Sequence, residues 1–173
     1  MTDTTVTVIP PAPEWADPWR HPFYYRGITI RRIFAYLLDV AIVTITAGLV
    51  WIATGIFSLL TLGLLWPLQA LFVALVPLLY HSLLIAGPDS ATLGMRAAGI
   101  RVMSIAPGAE ADGGRPTLFQ AMIQTVAFYG SMAVTGSLIL LLALFNPRRR
   151  ALHDFLAGTV VVNDRRLWQG DPV

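Results

Sequence analysis

The chain has 173 residues, of which 55% are hydrophobic and only 13% charged, about half the charge content of a soluble domain. It carries no cysteine, which excludes disulfides, thiolate zinc sites, cysteine-ligated iron–sulfur clusters and cysteine nucleophiles. All twelve basic residues are arginines flanking apolar runs, so the net charge of +2 follows the positive-inside pattern and not a nucleic-acid groove with interleaved aromatics.

Residues 1–28 form a polar arm with five prolines and the acids Asp3, Glu14 and Asp17. A basic segment followed by an apolar core is missing from it, so it is expected to be a retained arm and not a cleaved signal peptide. Proline opposes regular helix here. Trp15, Trp19, Phe23, Tyr24 and Tyr25 suit the headgroup region, as interfacial anchors or as an arm that docks along a partner subunit.

The first spanning helix is expected at 33–57, with Arg31 and Arg32 fixing its start. About 20 apolar residues cross the hydrocarbon. An uncharged link at 58–63 leads to a second span at 64–86, where Pro67 fits the first turn and Pro77 falls inside the helix. Arg20, Arg26, Arg31 and Arg32 precede the pair, Arg96, Arg101 and Arg115 follow it, and the link has no charge. Both flanks, and with them the N-terminus, are expected to be cytoplasmic.

In the loop at 87–117, Ser90 or Thr92 can cap a short helix near 93–98, and 100–103 alternates like a strand. A second strand-like run, Thr159-Val-Val-Val162, is its natural partner, and pairing requires both on one side of the membrane. The third apolar region, 118–145, is one span or a short helical hairpin broken at Gly130-Ser131 or Gly136-Ser137. A single span would put Arg148, Arg149 and Arg150 outside. A doubled-back region keeps the C-terminus inside, which the charge rule favours.

Asp39 lies inside the first span, one heptad after Arg32. A carboxylate at a helix centre costs about 2.5–3.5 kcal/mol on the insertion scale. It therefore marks a buried polar clamp that fixes helix packing, a proton or cation site, or a boundary residue that reaches water. Arg32 and Asp39 share a helix face about 10 Å apart along the axis, too far for a direct bridge. Arg32 is expected to snorkel to the interface. The candidate partners of Asp39 are Arg96, His81, Gln124 and Thr125. Asp154 can pair with Arg150 at helical spacing, or meet Arg32 or Arg96. His153 reads as a capping or interfacial residue, and Arg148–Arg150 as an anchor to anionic lipid headgroups. With His21, His81 and His153 spread along the chain, no metal cluster stands out.

Three stretches together resemble the RDD family of bacterial membrane proteins: Arg32-x-x-Ala35-x-x-x-Asp39, Thr92-Leu-Gly94-Met-Arg96-Ala-Ala-Gly99-Ile-Arg101-Val102, and Leu152-His153-Asp154-Phe-Leu-Ala157-Gly158-Thr159-Val160-Val161-Val162. The resemblance covers about residues 29–163 and places the family arginine at Arg32 and its two aspartates at Asp39 and Asp154. Met95 stands where the family often has a basic residue. The resemblance implies a polytopic membrane architecture and, among suggested activities, transport, with sodium–proton exchange in some members.

The expectation is an all-α polytopic protein of the bacterial inner membrane. It has two firm transmembrane helices, a third apolar region, and a small cytoplasmic cap that contains two short paired strands. The arm occupies 1–28, the membrane domain 29–163 and a tail 164–173. The leading function is a non-enzymatic accessory or structural subunit of a larger membrane assembly, with the bilayer and other subunits or a second copy as partners and no cofactor. The alternative is an oligomeric proton- or sodium-coupled transporter that uses Asp39.

Overall fold

The computed structural model describes residues 22–107, 109, 114–135 and 150–164. After a 3-10 turn, Pro22–Tyr25, come α1 (Ile28–Leu60), α2 (Trp66–Ile85), α3 (Leu93–Ala97), β1 (Ile100–Ser104), α4 (Leu118–Thr135), α5 (Leu152–Ala157) and β2 (Thr159–Asn163). The two spans and the short helix thus form where apolar run length and capping chemistry predict them. Helix α1 starts one turn earlier than expected, at Ile28 after Gly27, whose φ of 67° turns the chain into the helix. Arg31 and Arg32 therefore sit inside it and do not mark its edge.

At 1.5 Å per residue α1 is about 50 Å long and α2 about 30 Å, each enough to cross the hydrocarbon. Only 11% of the apolar window of α1 and 17% of that of α2 is buried. A core helix of a water-soluble protein would bury that face instead. Ile45, Leu49, Trp51, Ile56, Phe57, Leu71 and Phe72 point outward, while Asp39, Ser58, Gln69, Ser82, Gln124 and Thr125 point inward. This inside-out distribution matches a lipid surround, in which polar groups must find protein partners. Gln69 donates to the Trp51 carbonyl at 3.0 Å, and Ser82 meets Thr125 at 3.3 Å. Helix α2 runs on through Pro77.

Strands β1 and β2 pair antiparallel, with Val102 opposite Val161 and Met103 opposite Val160. The chain reaches this pairing by doubling back. Helix α4 carries the chain about 27 Å away, yet Asp154 and Thr159 lie against Gln124 in its N-terminal half. The expected break at Gly130-Ser131 is not one: α4 passes through both residues, and the Ser131 hydroxyl folds back onto the Phe128 carbonyl at 2.8 Å. Gly136-Ser137 lies outside the described residues.

The cap has its own core. Ile28, Ile85, Ile100, Val102, Ala121 and Val161 pack on the helix side, and Tyr24, Met103, Val160 and Val162 on the other. Each fully buried valine or isoleucine contributes about 1.5–3 kcal/mol relative to exposure. Tyr24, expected at the headgroups, is instead closed against this sheet at 6% exposure, and Asn163 donates to the Arg26 carbonyl at 3.0 Å. The end of the arm thus docks on its own chain; Trp15 and Trp19 lie outside the described residues.

The register can be checked in this cysteine-free chain. Antiparallel partners have Cα atoms about 4.5–5.5 Å apart, within disulfide reach. The double variant Val102→Cys/Val161→Cys should cross-link on mild oxidation, read as a mobility shift that reverses on reduction. Val102→Cys/Asn163→Cys should not.

Candidate functional site

Two buried carboxylates organise the charged end of the helices. Among the described residues, every charged side chain except Asp39 lies on the cap, in its connecting loops, or in the first two turns of α1. Asp39 faces inward from the second turn beyond Arg32 and is 3% exposed. Three donors from two other elements fill it. The Tyr80 hydroxyl of α2 donates at 2.7 Å, the Thr92 hydroxyl at 2.6 Å, and the Gly94 backbone N–H at 2.9 Å. Thr92 serves twice, because its oxygen also accepts from the Met95 N–H at 3.2 Å and so caps α3. Tyr80 in turn accepts from the Leu93 N–H at 3.3 Å.

Gly94 is fixed by space. A Cβ there would collide with the Ala35 carbonyl oxygen and come within 2.8 Å of the Asp39 carboxyl carbon. Only a residue without a side chain lets α3 lie flat against α1. Arg31, at the other end of this contact, donates to the Ala98 carbonyl at 2.9 Å and takes up a carbonyl at the C-terminal end of α3. The loop after α2 is therefore pinned to α1 at both ends.

Asp154, at the start of α5, is fully buried. Arg32 donates to its Oδ2 at 2.8 Å, the Ala151 N–H to the same oxygen at 3.0 Å, and Gln124 of α4 to Oδ1 at 3.3 Å. Through the bond from Ala151 the Asp154 carboxylate takes up the N-cap N–H at the start of α5, while the Asp154 N–H bonds the Ala151 carbonyl. His153 Nε2 stands 3.5 Å from Oδ1, and its ring meets Phe128 edge-on at 5.2 Å. Burial alone would push the Asp154 carboxyl up, but the Arg32 guanidinium, with His153 and the Ala151 N–H, holds it below the usual carboxylate range. For His153, burial pushes the imidazole below its ordinary value of 6.5, with Arg32 adding to the effect and Asp154 opposing it.

The residues singled out from sequence divide accordingly. Arg32 and Asp154 meet directly, so Arg32 is an ion-pair partner, although 16% of its side chain keeps contact with the surroundings. Asp39 is not joined to Arg96, which instead pairs with Asp89 at 2.9 Å and donates to the Ala91 carbonyl. Its distance from Asp39 follows from α3, which directs N–H groups and not the Arg96 side chain toward α1. Gln124 serves Asp154, and Thr125 binds the Ala121 carbonyl and Ser82. His81 faces the Pro77 carbonyl at 3.0 Å and the Tyr129 hydroxyl at 3.5 Å, beside Tyr80 and Phe128.

Arg150 is a correction. Expected at lipid headgroups or on the Asp154 carboxylate, it is only 8% exposed and donates to the backbone carbonyls of Thr159 and Asp154, each at 3.0 Å, stacked over Phe155. It ties the start of α5 to β2. Arg148 and Arg149 lie outside the described residues. Tyr80, Thr92 and Gly94 are not among the partners expected for Asp39: Tyr80 stands near the end of the second span, Thr92 is expected only as a helix cap, and Gly94 acts through its backbone N–H. Among the described residues no cluster of three potential metal ligands forms.

A sequence model of the RDD family matches residues 26–158. No curated protein and no solved structure matches the chain. The chain belongs to the RDD family and is a membrane protein, and its Arg32, Asp39 and Asp154 all stand in the two clamps.

Removing one partner from a buried ion pair costs about 3–5 kcal/mol, because the other charge is left uncompensated. Arg32→Met and Asp154→Asn should each lower stability in detergent by that order. The double variant should lose clearly less than the sum, by about 1 kcal/mol or more, since the two residues are coupled. Full additivity by chemical denaturation would mean that the 2.8 Å contact carries no energy.

Stability should also depend on pH with a defined sign. Folded His153 has its pKa lowered, so below about 6.5 the unfolded chain binds a proton that the folded chain refuses, and stability falls. Asp154, also lowered, stabilises above its unfolded value of 3.8 and loses this as pH drops through its folded value. The melting temperature should decline in two limbs, and His153→Asn should reduce the upper limb while it leaves the lower one in place.

Proposed function

We propose that this member of the RDD family is a non-enzymatic accessory subunit that builds into a larger membrane assembly, with its cap on the cytoplasmic face of the bacterial inner membrane. The observation that carries the reading is the saturation of both buried carboxylates by fixed donors. Asp39 is filled by Tyr80, Thr92 and Gly94, and Asp154 by Arg32, Ala151 and Gln124. Groups used this way hold one geometry. They join α1, α2, α3, α4 and α5 into a rigid platform, and the apolar outer faces of the helices remain free for lipid and neighbouring subunits. The orientation rests on the charge rule, because the arginines gather at the cap end.

A second reading, proton- or sodium-coupled transport through Asp39, draws on one feature. Tyr80 bonds the carboxylate, and its neighbour His81 meets Tyr129, so titratable groups from α1, α2 and α4 adjoin one another.

Reconstitution separates the two. Sealed vesicles with the wild-type chain should show no proton or sodium flux above empty vesicles, and Asp39→Asn should lower thermal stability alone. Gentle solubilisation should recover the tagged chain with other membrane subunits at fixed stoichiometry. Wild-type flux that disappears in folded Asp39→Asn protein would establish transport and remove the subunit reading.

A further inference from the structure

Helix α5 is amphipathic in the reverse of the aqueous sense. His153, Asp154 and Ala157 are buried against the rest of the protein, while Leu152, Phe155 and Leu156 form an outward stripe at helical spacing, with Leu156 60% exposed. On a cap bathed in water this stripe would be an unpartnered apolar face.

Its depth identifies what covers it. Asp154 bonds Arg32 on one side and Gln124 on the other, so α5 lies level with those residues of α1 and α4. At that level the two long helices already turn apolar side chains outward: Ile33 and Phe34 on α1, and Met122 and Val126 on α4. The outward apolar surface of α1 and α4 extends beyond it, to Ile30 and Phe119. The α5 stripe therefore stands at the same depth as the lipid-facing apolar surface of α1 and α4.

We infer that α5 lies in the membrane interface, with Leu152, Phe155 and Leu156 immersed at the boundary of headgroups and acyl chains. The occupant of this face is lipid. The Arg32–Asp154 pair is then shielded by the bilayer on its outer side, and the third RDD position is carried by an interfacial helix. This assignment does not depend on whether the protein is a subunit or a transporter.

The absence of cysteine makes the test direct. Leu156→Cys and Leu152→Cys in the full chain, each labelled with an environment-sensitive fluorophore, are placed in phosphatidylcholine/phosphatidylglycerol vesicles. Arg26→Cys, exposed just before α1, serves as the reference. Brominated acyl chains should quench both α5 labels at least twofold more than the reference. Before labelling, both cysteines should react several-fold more slowly than the reference with a membrane-impermeant maleimide. Quenching equal to the reference with fast aqueous reaction would place the stripe in water and overturn the inference. Protection from both lipid and water would also overturn it, by showing a protein partner or second copy on the face. Use of two positions keeps the result readable if one variant does not fold.

Discussion

A carboxylate inside a lipid-facing helix has to be met by donors that the protein itself supplies, and Asp39 imposes that requirement on everything packed around it. Water is absent from the hydrocarbon, so each oxygen needs partners from neighbouring elements. The loop after α2 consequently folds back along α1 and does not project into solvent. It begins α3 with Thr92 so that a hydroxyl and a backbone N–H both reach the carboxylate, and it places Gly94 where a side chain would not fit. From α3 the chain passes directly into β1, whose Val102 N–H bonds the Ser90 carbonyl at 2.8 Å. The position of the strand pair is thus set by the contact that satisfies Asp39.

Much of this was legible because it depends on local pattern. Run length marks the two spans, Ser90 or Thr92 marks the cap of α3 and Thr92 takes it, and alternation in Ile100–Met103 and the valine run of Thr159–Val162 marks two strands that need each other. The two strand-like runs do pair, and Asp154 lies against Gln124 in the N-terminal half of α4.

The partners of the acids were harder to read, for a physical reason. Charge complementarity nominates arginines, and it is right for Arg32 with Asp154 and wrong for Arg96 with Asp39. A backbone N–H at the beginning of a short helix leaves no side-chain signature, so Gly94 cannot be recognised as a donor from its residue type. Arg150 fails in the opposite way. Its place in an Arg-Arg-Arg run implies a solvated anchor, whereas tertiary structure brings two backbone carbonyls, those of Thr159 and Asp154, to a guanidinium that is already near them. Five N–H donors in a fixed fork suit that task well.

The different solutions at the two acids follow from depth. Asp154 sits level with Arg32, close enough to the edge that the arginine retains some exposure while it forms the pair. Asp39 lies about 10 Å further along α1. A guanidinium carried there would bring its own desolvation, several kcal/mol even after relaxation, together with donors that themselves need acceptors. Hydroxyls and an amide bring no net charge, and each is already engaged nearby, Thr92 with Met95 and Tyr80 with Leu93. Neutral donors at the deeper acid and a cation at the shallower one keep the only charged donor where it retains some exposure. This arrangement requires the short helix α3 to be drawn in beside α1, which is what the missing side chain at Gly94 permits.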